Sequence, residues 1–222
     1  MARFFNPEGK GGKADMRLHA PATARNHNSI YDALASHLPA PKLSASGLIF
    51  EVASGTGEHA ARMAPKLANH CWQPTDIEDD HLTSIEAWRA HAGTANILPA
   101  KYFNVLKSTF DTSGTNQPLV AVLAINLIHI SPWAVTEALI EKAATALQAE
   151  TILYLYGPYK RDGAHTSESN AAFDTSLKSR DKEWGVRDME AVIELAQNTN
   201  FAAPEIIPMP ANNFSLIFKK LV

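Results

Sequence analysis

The stretch Phe50-Glu51-Val52-Ala53-Ser54-Gly55-Thr56-Gly57 decides how this chain is read. An apolar run, Leu48-Ile49-Phe50, breaks into small residues, and a helical pattern opens at Glu58. A buried strand that feeds a glycine loop and then a helix leaves free backbone N–H groups at the helix start. Gly55 and Gly57 let the backbone turn sharply and approach a ligand closely. Glu51 stands four residues before Gly55, near the strand end. A carboxylate only accepts hydrogen bonds, so it suits a ligand with hydroxyls or a positive charge and not a phosphate. The competing reading is an ordinary strand-to-helix turn, because short glycine motifs recur by accident.

Upstream, residues 1–16 carry Gly9, Gly11 and Gly12 without periodicity and are expected to be flexible. Residues 17–40 are expected to form a lid. Ile30, Leu34 and Leu38 predict a helix from about Thr23, ended by Pro39 and Pro41. Arg25 and Asn26 fall in its first half. They serve either a lid over the glycine loop or a solvated helix face.

Downstream, Cys71 to Asp76 reads as a second strand with Asp76 at its tip, 19 residues after Gly57. An acid at that place in an α/β nucleotide fold accepts hydrogen bonds from ribose hydroxyls. Its rival role is to cap the next helix, expected over 79–92, where Asp79 and Asp80 compete for the cap. A weaker strand over Leu98 to Val105 is interrupted by Pro99. Asn104 near its end reads two ways, as a partner for an adenine edge or as a turn residue. Leu119 to Ile125 has no polar alternation, the mark of a strand buried on both faces of a parallel sheet. Asn126 and His129 lie just past it, where open α/β sheets bind ligands. A satisfied buried histidine is the rival reading of His129. Ser131-Pro132 predicts a capped helix start. Thr151 to Tyr156 reads as a further strand closed by Gly157-Pro158, then a long polar loop and a short helix to about Ser179. Asp188 is expected to cap a helix to about Asn198. Glu205 to Met209 and Phe214 to Lys220 follow with no helix between them and should pair antiparallel.

Composition narrows the function. A 222-residue chain with 45% hydrophobic and 19% charged residues fits one globular domain spanning 1–222. The formal charge of -3 gives no basic footprint for nucleic acid. Its longest apolar run is far short of the roughly 20 residues that span a bilayer, which speaks against a membrane partner. One cysteine excludes an internal disulfide and fits a cytoplasmic setting. No metal site is read from the sequence.

The order of elements predicts an α/β, three-layer Rossmann-like fold: a seven-stranded, mostly parallel sheet with an antiparallel edge strand. Glu51 with Gly55-Thr56-Gly57, Asp76, Asn104, the Asn126 strand end and the closing strand pair resemble a class I S-adenosylmethionine-dependent methyltransferase. More narrowly, the chain resembles a methyltransferase-like family of bacteria and animals that includes methyltransferase-like protein twenty-six. That match runs through Ala22-Thr23-Ala24-Arg25-Asn26, Glu51 to His59, Trp72 to Asp76, Tyr156 to Tyr159, Ser169 to Asp174, Trp184 to Asp188 and Met209 to Asn213. The resemblance implies S-adenosyl-L-methionine as cofactor and methyl transfer to a small or medium-sized acceptor. It implies cofactor contacts at Glu51, Ala53, Gly55, Gly57, Asp76, Ile77, Asn104, Val105 and Asn126. Two positions depart from the common pattern: Ala53 stands for a glycine and Asn104 for an aspartate. His129 and Tyr159 are the candidate general bases, and Arg25, Asn26, Asn170, Arg187, Asn212 and Asn213 the candidate acceptor wall. Two alternatives stand: an NAD(P)-dependent oxidoreductase on the looser pattern Gly55-x-Gly57-x-x-Ala60, and a non-catalytic cofactor-binding module that assembles with a partner. Self-association is left open.

Overall fold

The structure, a computed structural model, describes residues 15–38 and 46–222 and the backbone of 6–7. Most of the expected flexible segment, and the prolines expected to end the first helix, lie outside the described residues.

Among the described residues the main sheet has nine strands, seven of them in its through-path: β1 (Gly47–Val52), β2 (His70–Asp76), β3 (Lys101–Tyr102), β4 (Leu119–Ile125), β5 (Ile152–Arg161), β6 (Glu205–Met209) and β7 (Asn213–Lys219). Their spatial order is β6-β7-β5-β4-β1-β2-β3. The pairings β1 with β2 and β4, β2 with β3, and β4 with β5 are all parallel. β7 runs antiparallel to both β5 and β6, so the antiparallel element lies at that end of the sheet, one place in from the edge. The order reverses between β1 and β4, the switch point where an open α/β sheet leaves a crevice at its strand C-termini.

Helices cover both faces: α1 (Thr23–His37), α2 (Glu58–Met63), α3 (Asp79–Ala92), α4 (Trp133–Ala146), α5 (Glu168–Arg180) and α6 (Met189–Asn198). Alternation along β1 sends Leu48, Phe50 and Val52 to one core, with Leu139 and Ala143 of α4 and Val192 and Ala196 of α6. Ile49 faces the other core, with Ile30 and Leu34 of α1 and Ala60 and Met63 of α2. The 3.6-residue spacing in α1 and the two-residue alternation in β1 thus meet at one interface.

Three local expectations change. Gly157-Pro158 does not close β5, which runs on to Arg161 because Tyr159 and Lys160 pair with Arg187–Asp188 and Lys160 and Arg161 pair with Ala164–His165. The polar segment expected as a long loop therefore contains a hairpin at Asp162-Gly163. Both residues have positive φ (51° and 75°), which suits an Asp-Gly turn of the primed kind. Ser131 does not cap α4; its hydroxyl donates to Leu127 O instead, and Pro132 takes the cap position. Asp188 holds the cap place of α6, but its carboxylate accepts from Gly163 N rather than from the helix.

Candidate functional site

The glycine loop is stitched to the tip of β2. Ser54 N–H donates to Thr75 O at 2.7 Å, and Thr75 N–H returns a bond to Ser54 Oγ at 3.1 Å. Gly55 N–H donates to Asp76 Oδ2 at 2.8 Å. The two glycines do different jobs. Gly55 has φ +57° and no atom within 4 Å of where a Cβ would sit, so its α-carbon faces open space. Gly57 has φ +82°, and a Cβ there would lie 2.7 Å from the Ile85 Cα of α3. Gly57 thus permits α2 to pack on α3, rather than clearing room for a ligand as expected. Ala53 holds φ 55°, so the alanine in place of glycine bears backbone strain of about 1 kcal/mol.

Glu51 is 1% exposed, and its Oε2 accepts from Trp72 Nε1 at 2.9 Å. Burial pushes its carboxyl up to about 7, aided by the nearby Asp76 charge and opposed by hydrogen bonds to Trp72 and Ser54. Near neutrality such a carboxyl is poised to ionise when a cation arrives.

Asp76 is buried at the same edge. Oδ1 accepts from Ile77 N at 2.8 Å, Glu78 N at 3.1 Å and His81 Nδ1 at 3.1 Å. Its hydrogen bond to Asp76 raises the His81 pKa. Oδ2 carries the single bond from Gly55, which leaves it a lone pair. Two apolar side chains are exposed near this strand end in sequence: Ile77, next to Asp76, at 51%, and Leu106, four residues past the Tyr102 that pairs with Asp76, at 52%. Asn104 forms a turn, Oδ1 accepting from Leu106 N at 3.0 Å, which leaves its amide NH₂ and one lone pair of Oδ1 to offer a ligand. The Val105 side chain belongs to the core, not to the open edge, because it points into the cluster around Phe103. Leu106, the next residue, carries the exposed side chain there. Its signal in the sequence was weak: a leucine just past a short strand, beside lysine and serine.

The end of β4 is built differently from expectation. Asn126 adopts φ 61° and its N–H donates to Tyr156 O at 2.8 Å. His129 and Tyr159 are both 0% exposed, with rings 5.1 Å apart in an edge-to-face contact. Burial, then the Arg187 charge, drives His129 down to about 3, so it is neutral. Burial pushes the Tyr159 hydroxyl up. His129 Nε2 and the Tyr159 hydroxyl have no hydrogen-bond partner. Neither group has an exposed surface through which to take a proton, which corrects the expectation of a general base. Arg187 likewise leaves the acceptor wall. Its guanidinium donates to Ile128 O at 2.8 Å, Ser131 O at 2.6 Å and Glu183 O at 2.8 Å, bracing the loop after β4. Asn170 is buried and ties down the loop before β7 by donating to Asn212 O at 2.9 Å. It positions Asn212, which is exposed with φ 56°.

The N-terminal segment comes back over the glycine loop. Leu18 N–H donates to Ser84 Oγ at 2.8 Å, and Ser84 Oγ donates to Thr56 O at 2.7 Å. Trp88 Nε1 donates to Leu18 O at 2.8 Å, and Ala20 N–H reaches Glu58 Oε2 at 3.3 Å. This seats the first turn of α1 over the sheet edge. There His59 Nε2 bonds Asn26 Oδ1 at 2.9 Å, and the Tyr156 hydroxyl meets the side chains of Asn26 and Asn213. Arg25, next to Asn26, is exposed. Of the expected wall, Arg25, Asn26 and Asn213 converge.

A family model described as a protein of unknown function, DUF938, matches residues 17–220, from the N-terminal segment to the last strand. The chain belongs to the DUF938 family. The DUF938 chain shares its fold with S-adenosylmethionine-dependent methyltransferases. One is an O-methyltransferase family 2 protein from Planctomyces limnophilus in complex with apigenin (TM-score 0.76, 16% identity, 88% of this chain and 57% of that one). Another is human N-acetylserotonin methyltransferase in complex with SAM (0.73, 11%, 90% and 53%). A third is an O-methyltransferase family protein from Burkholderia thailandensis (0.69, 13%, 87% and 56%). The DUF938 chain spans about half the length of these structures. Among the described residues, no helix is long and apolar enough to cross a membrane, and no group of three or more His, Cys, Asp or Glu side chains could hold a metal ion.

What the DUF938 site can do follows from its parts. It has an acceptor at Asp76, a buried carboxyl at Glu51 bonded to Trp72, exposed apolar side chains at Ile77 and Leu106, and clear space above Gly55. Tyr156 and Ser84 are site-shaping residues that the sequence reading passed over. Both sit inside regular elements, where nothing in the local pattern separates them from core.

Proposed function

We propose that this DUF938 protein is an S-adenosylmethionine-dependent methyltransferase acting on a small or medium-sized acceptor. The observation that carries the reading is the bond from Gly55 N–H to Asp76 Oδ2 at the switch point of the sheet. It sets a glycine with open space above it beside an acid with a spare lone pair. The exposed Ile77 and Leu106 continue that surface and suit a purine face. The closer kinship to methyltransferase-like protein twenty-six is part of this reading, carried by Ala22 to Asn26, Trp72 to Asp76 and Met209 to Asn213.

In this reading Asp76 accepts from the ribose, Ile77 and Leu106 flank the adenine, and the Asn104 amide donates to its edge. Gly55 and Ala53 line the loop against the nucleoside, near Asn126. Glu51 favours the cationic amino-acid end. When bound, the cofactor supplies a methyl group activated by its positively charged sulfur. Asn26, Tyr156 and Asn213 orient the acceptor, and holding the reactants in line supplies the acceleration. Buried His129 and Tyr159 take no part, so the acceptor is one that ionises by itself or loses its proton to water. Its partners are small molecules, in a reducing cytoplasmic setting that the lone Cys71 suits.

The insertion of antiparallel β7 between β5 and β6 speaks against a nicotinamide enzyme, whose doubly wound sheet runs 3-2-1-4-5-6. The burial of both candidate bases, His129 and Tyr159, keeps a non-catalytic binding module as the second reading. Calorimetry with S-adenosylhomocysteine and with NADH tests the proposal. S-adenosylhomocysteine should bind, NADH should not, and Asp76→Ala should weaken binding about ten-fold or more through loss of charge-assisted hydrogen bonds. Unchanged binding by Asp76→Ala overturns the assignment. Binding with no methyl transfer to any acceptor in a broad screen favours the binding module.

A further inference from the structure

The cation at the mouth of the site, Arg25, has no counter-ion among the described residues. Arg25 lies in the first turn of α1, exposed, and that turn contains no acidic residue. Its position over the sheet edge is fixed by its neighbour, since Asn26 bonds His59 of α2 at 2.9 Å and meets the hydroxyl of Tyr156, which pairs with Ile125 at the end of β4. The carboxylates of that region are already committed. Glu58 is held by Arg62 at 2.9 and 2.7 Å, and Glu51 by Trp72 at 2.9 Å. Among the described residues Arg25 makes no ion pair. Tyr156 shares a core with Ile30 and Leu34 of α1, and Asn213 lies two residues before Ser215, the cross-strand partner of Tyr156, on the same face, so the first half of α1, the Tyr156 ring and Asn213 meet on one side of the sheet.

An exposed guanidinium beside two amides and a buried hydroxyl is a donor-rich corner. Arg presents a planar fork that matches a carboxylate with two parallel hydrogen bonds. We infer that Arg25, with Asn213 and the Tyr156 hydroxyl, forms a carboxylate-binding subsite at the acceptor side of the proposed methyltransferase site. The inference rests on that functional reading and adds a ligand group to it. Two sources can bring the carboxylate: the amino-acid tail of the cofactor or the methyl acceptor itself.

The experiment compares wild type, Arg25→Gln and Arg25→Lys by calorimetry, with thermal melting to confirm folding. The first arm uses S-adenosylhomocysteine and 5′-methylthioadenosine, which lacks the amino-acid tail. The second arm titrates hydroxybenzoates and the matching hydroxybenzamides into the S-adenosylhomocysteine complex. If the cofactor tail is the source, Arg25→Gln weakens S-adenosylhomocysteine about ten-fold or more and leaves methylthioadenosine unchanged. If the acceptor is the source, both nucleosides bind Arg25→Gln as they bind wild type. Wild type then prefers acids over amides, and Arg25→Gln loses the preference. Arg25→Lys recovers part of either effect, since it keeps the charge but not the fork. Neither pattern appearing in a protein that binds S-adenosylhomocysteine overturns the subsite alone. Failure of wild type to bind S-adenosylhomocysteine overturns the methyltransferase reading and this subsite with it.

Discussion

Glu51 and Tyr159 show how a single buried polar group is decided by its surroundings. Burial lifts the Glu51 carboxyl to about 7, well above the ordinary carboxylate range. A raised acid pKa stabilises the folded state below the unfolded value, and that contribution is lost as pH rises through the folded value. A rise of that size corresponds to about 3 kcal/mol. Glu51→Gln keeps an acceptor for Trp72 and removes the titration. Its melting temperature should exceed that of wild type at about pH 8, and the gap should close by about pH 4. A gap independent of pH would show that Glu51 is not the titrating group. Tyr159 makes the opposite case. Its hydroxyl is buried without a partner, so Tyr159→Phe should stabilise the protein by about 1 kcal/mol in denaturant titration. The same variant should bind S-adenosylhomocysteine as tightly as wild type. Lost binding, or destabilisation, would mean that the hydroxyl finds a partner in solution.

At the scale of the element, the loop between β1 and α2 separates packing from binding within three residues. Gly57→Ala would force a Cβ to 2.7 Å from the Ile85 Cα in a left-handed backbone. It should lower stability by about 3 kcal/mol through overpacking and strain together. Gly55→Ala meets no protein atom, so it should lose only about 1 kcal/mol of stability from its positive φ. Its main effect should fall on S-adenosylhomocysteine binding, where the new methyl group occupies the open side of the loop. Equal effects of the two variants on both stability and binding, by melting and calorimetry, would erase the distinction. Ser84 extends the element's reach, because one hydroxyl joins Thr56 of the loop to Leu18 of the N-terminal segment.

Across the whole molecule, that Ser84 bridge makes the N-terminal segment and the glycine loop one cooperative patch on a rigid sheet. The segment is held by a few hydrogen bonds and little apolar burial, whereas β1, β4 and β5 are buried almost throughout. Native-state hydrogen exchange should therefore be slowest in β1, β4 and β5 and fast in residues 15–22. Adding S-adenosylhomocysteine should slow exchange at 15–26 and 53–57 and leave 159–161 unchanged. Protection confined to 53–57 would show that the segment does not respond to the ligand.

The run Leu119 to Ile125, the 79–92 helix and the Phe50 to Gly57 loop were legible because each is set by local pattern: unbroken burial, helical spacing, glycine punctuation. The alternation of strands and helices also carried the layer order, and the two terminal strands their antiparallel pairing. Tertiary structure alone decided which side each polar group faced. Gly55 and Gly57 look alike in sequence, yet α3 packs against only one of them. His129 and Arg187 read as site residues, yet the loop after β4 folds over the first and hangs its carbonyls on the second. Asn26 reads equally as lid or solvated helix face, yet the fold buries it against His59 of α2. Local sequence sets backbone conformation through sterics and burial, while the solvation of a charge depends on neighbours dozens of residues away, and the chemistry of the site follows from the second.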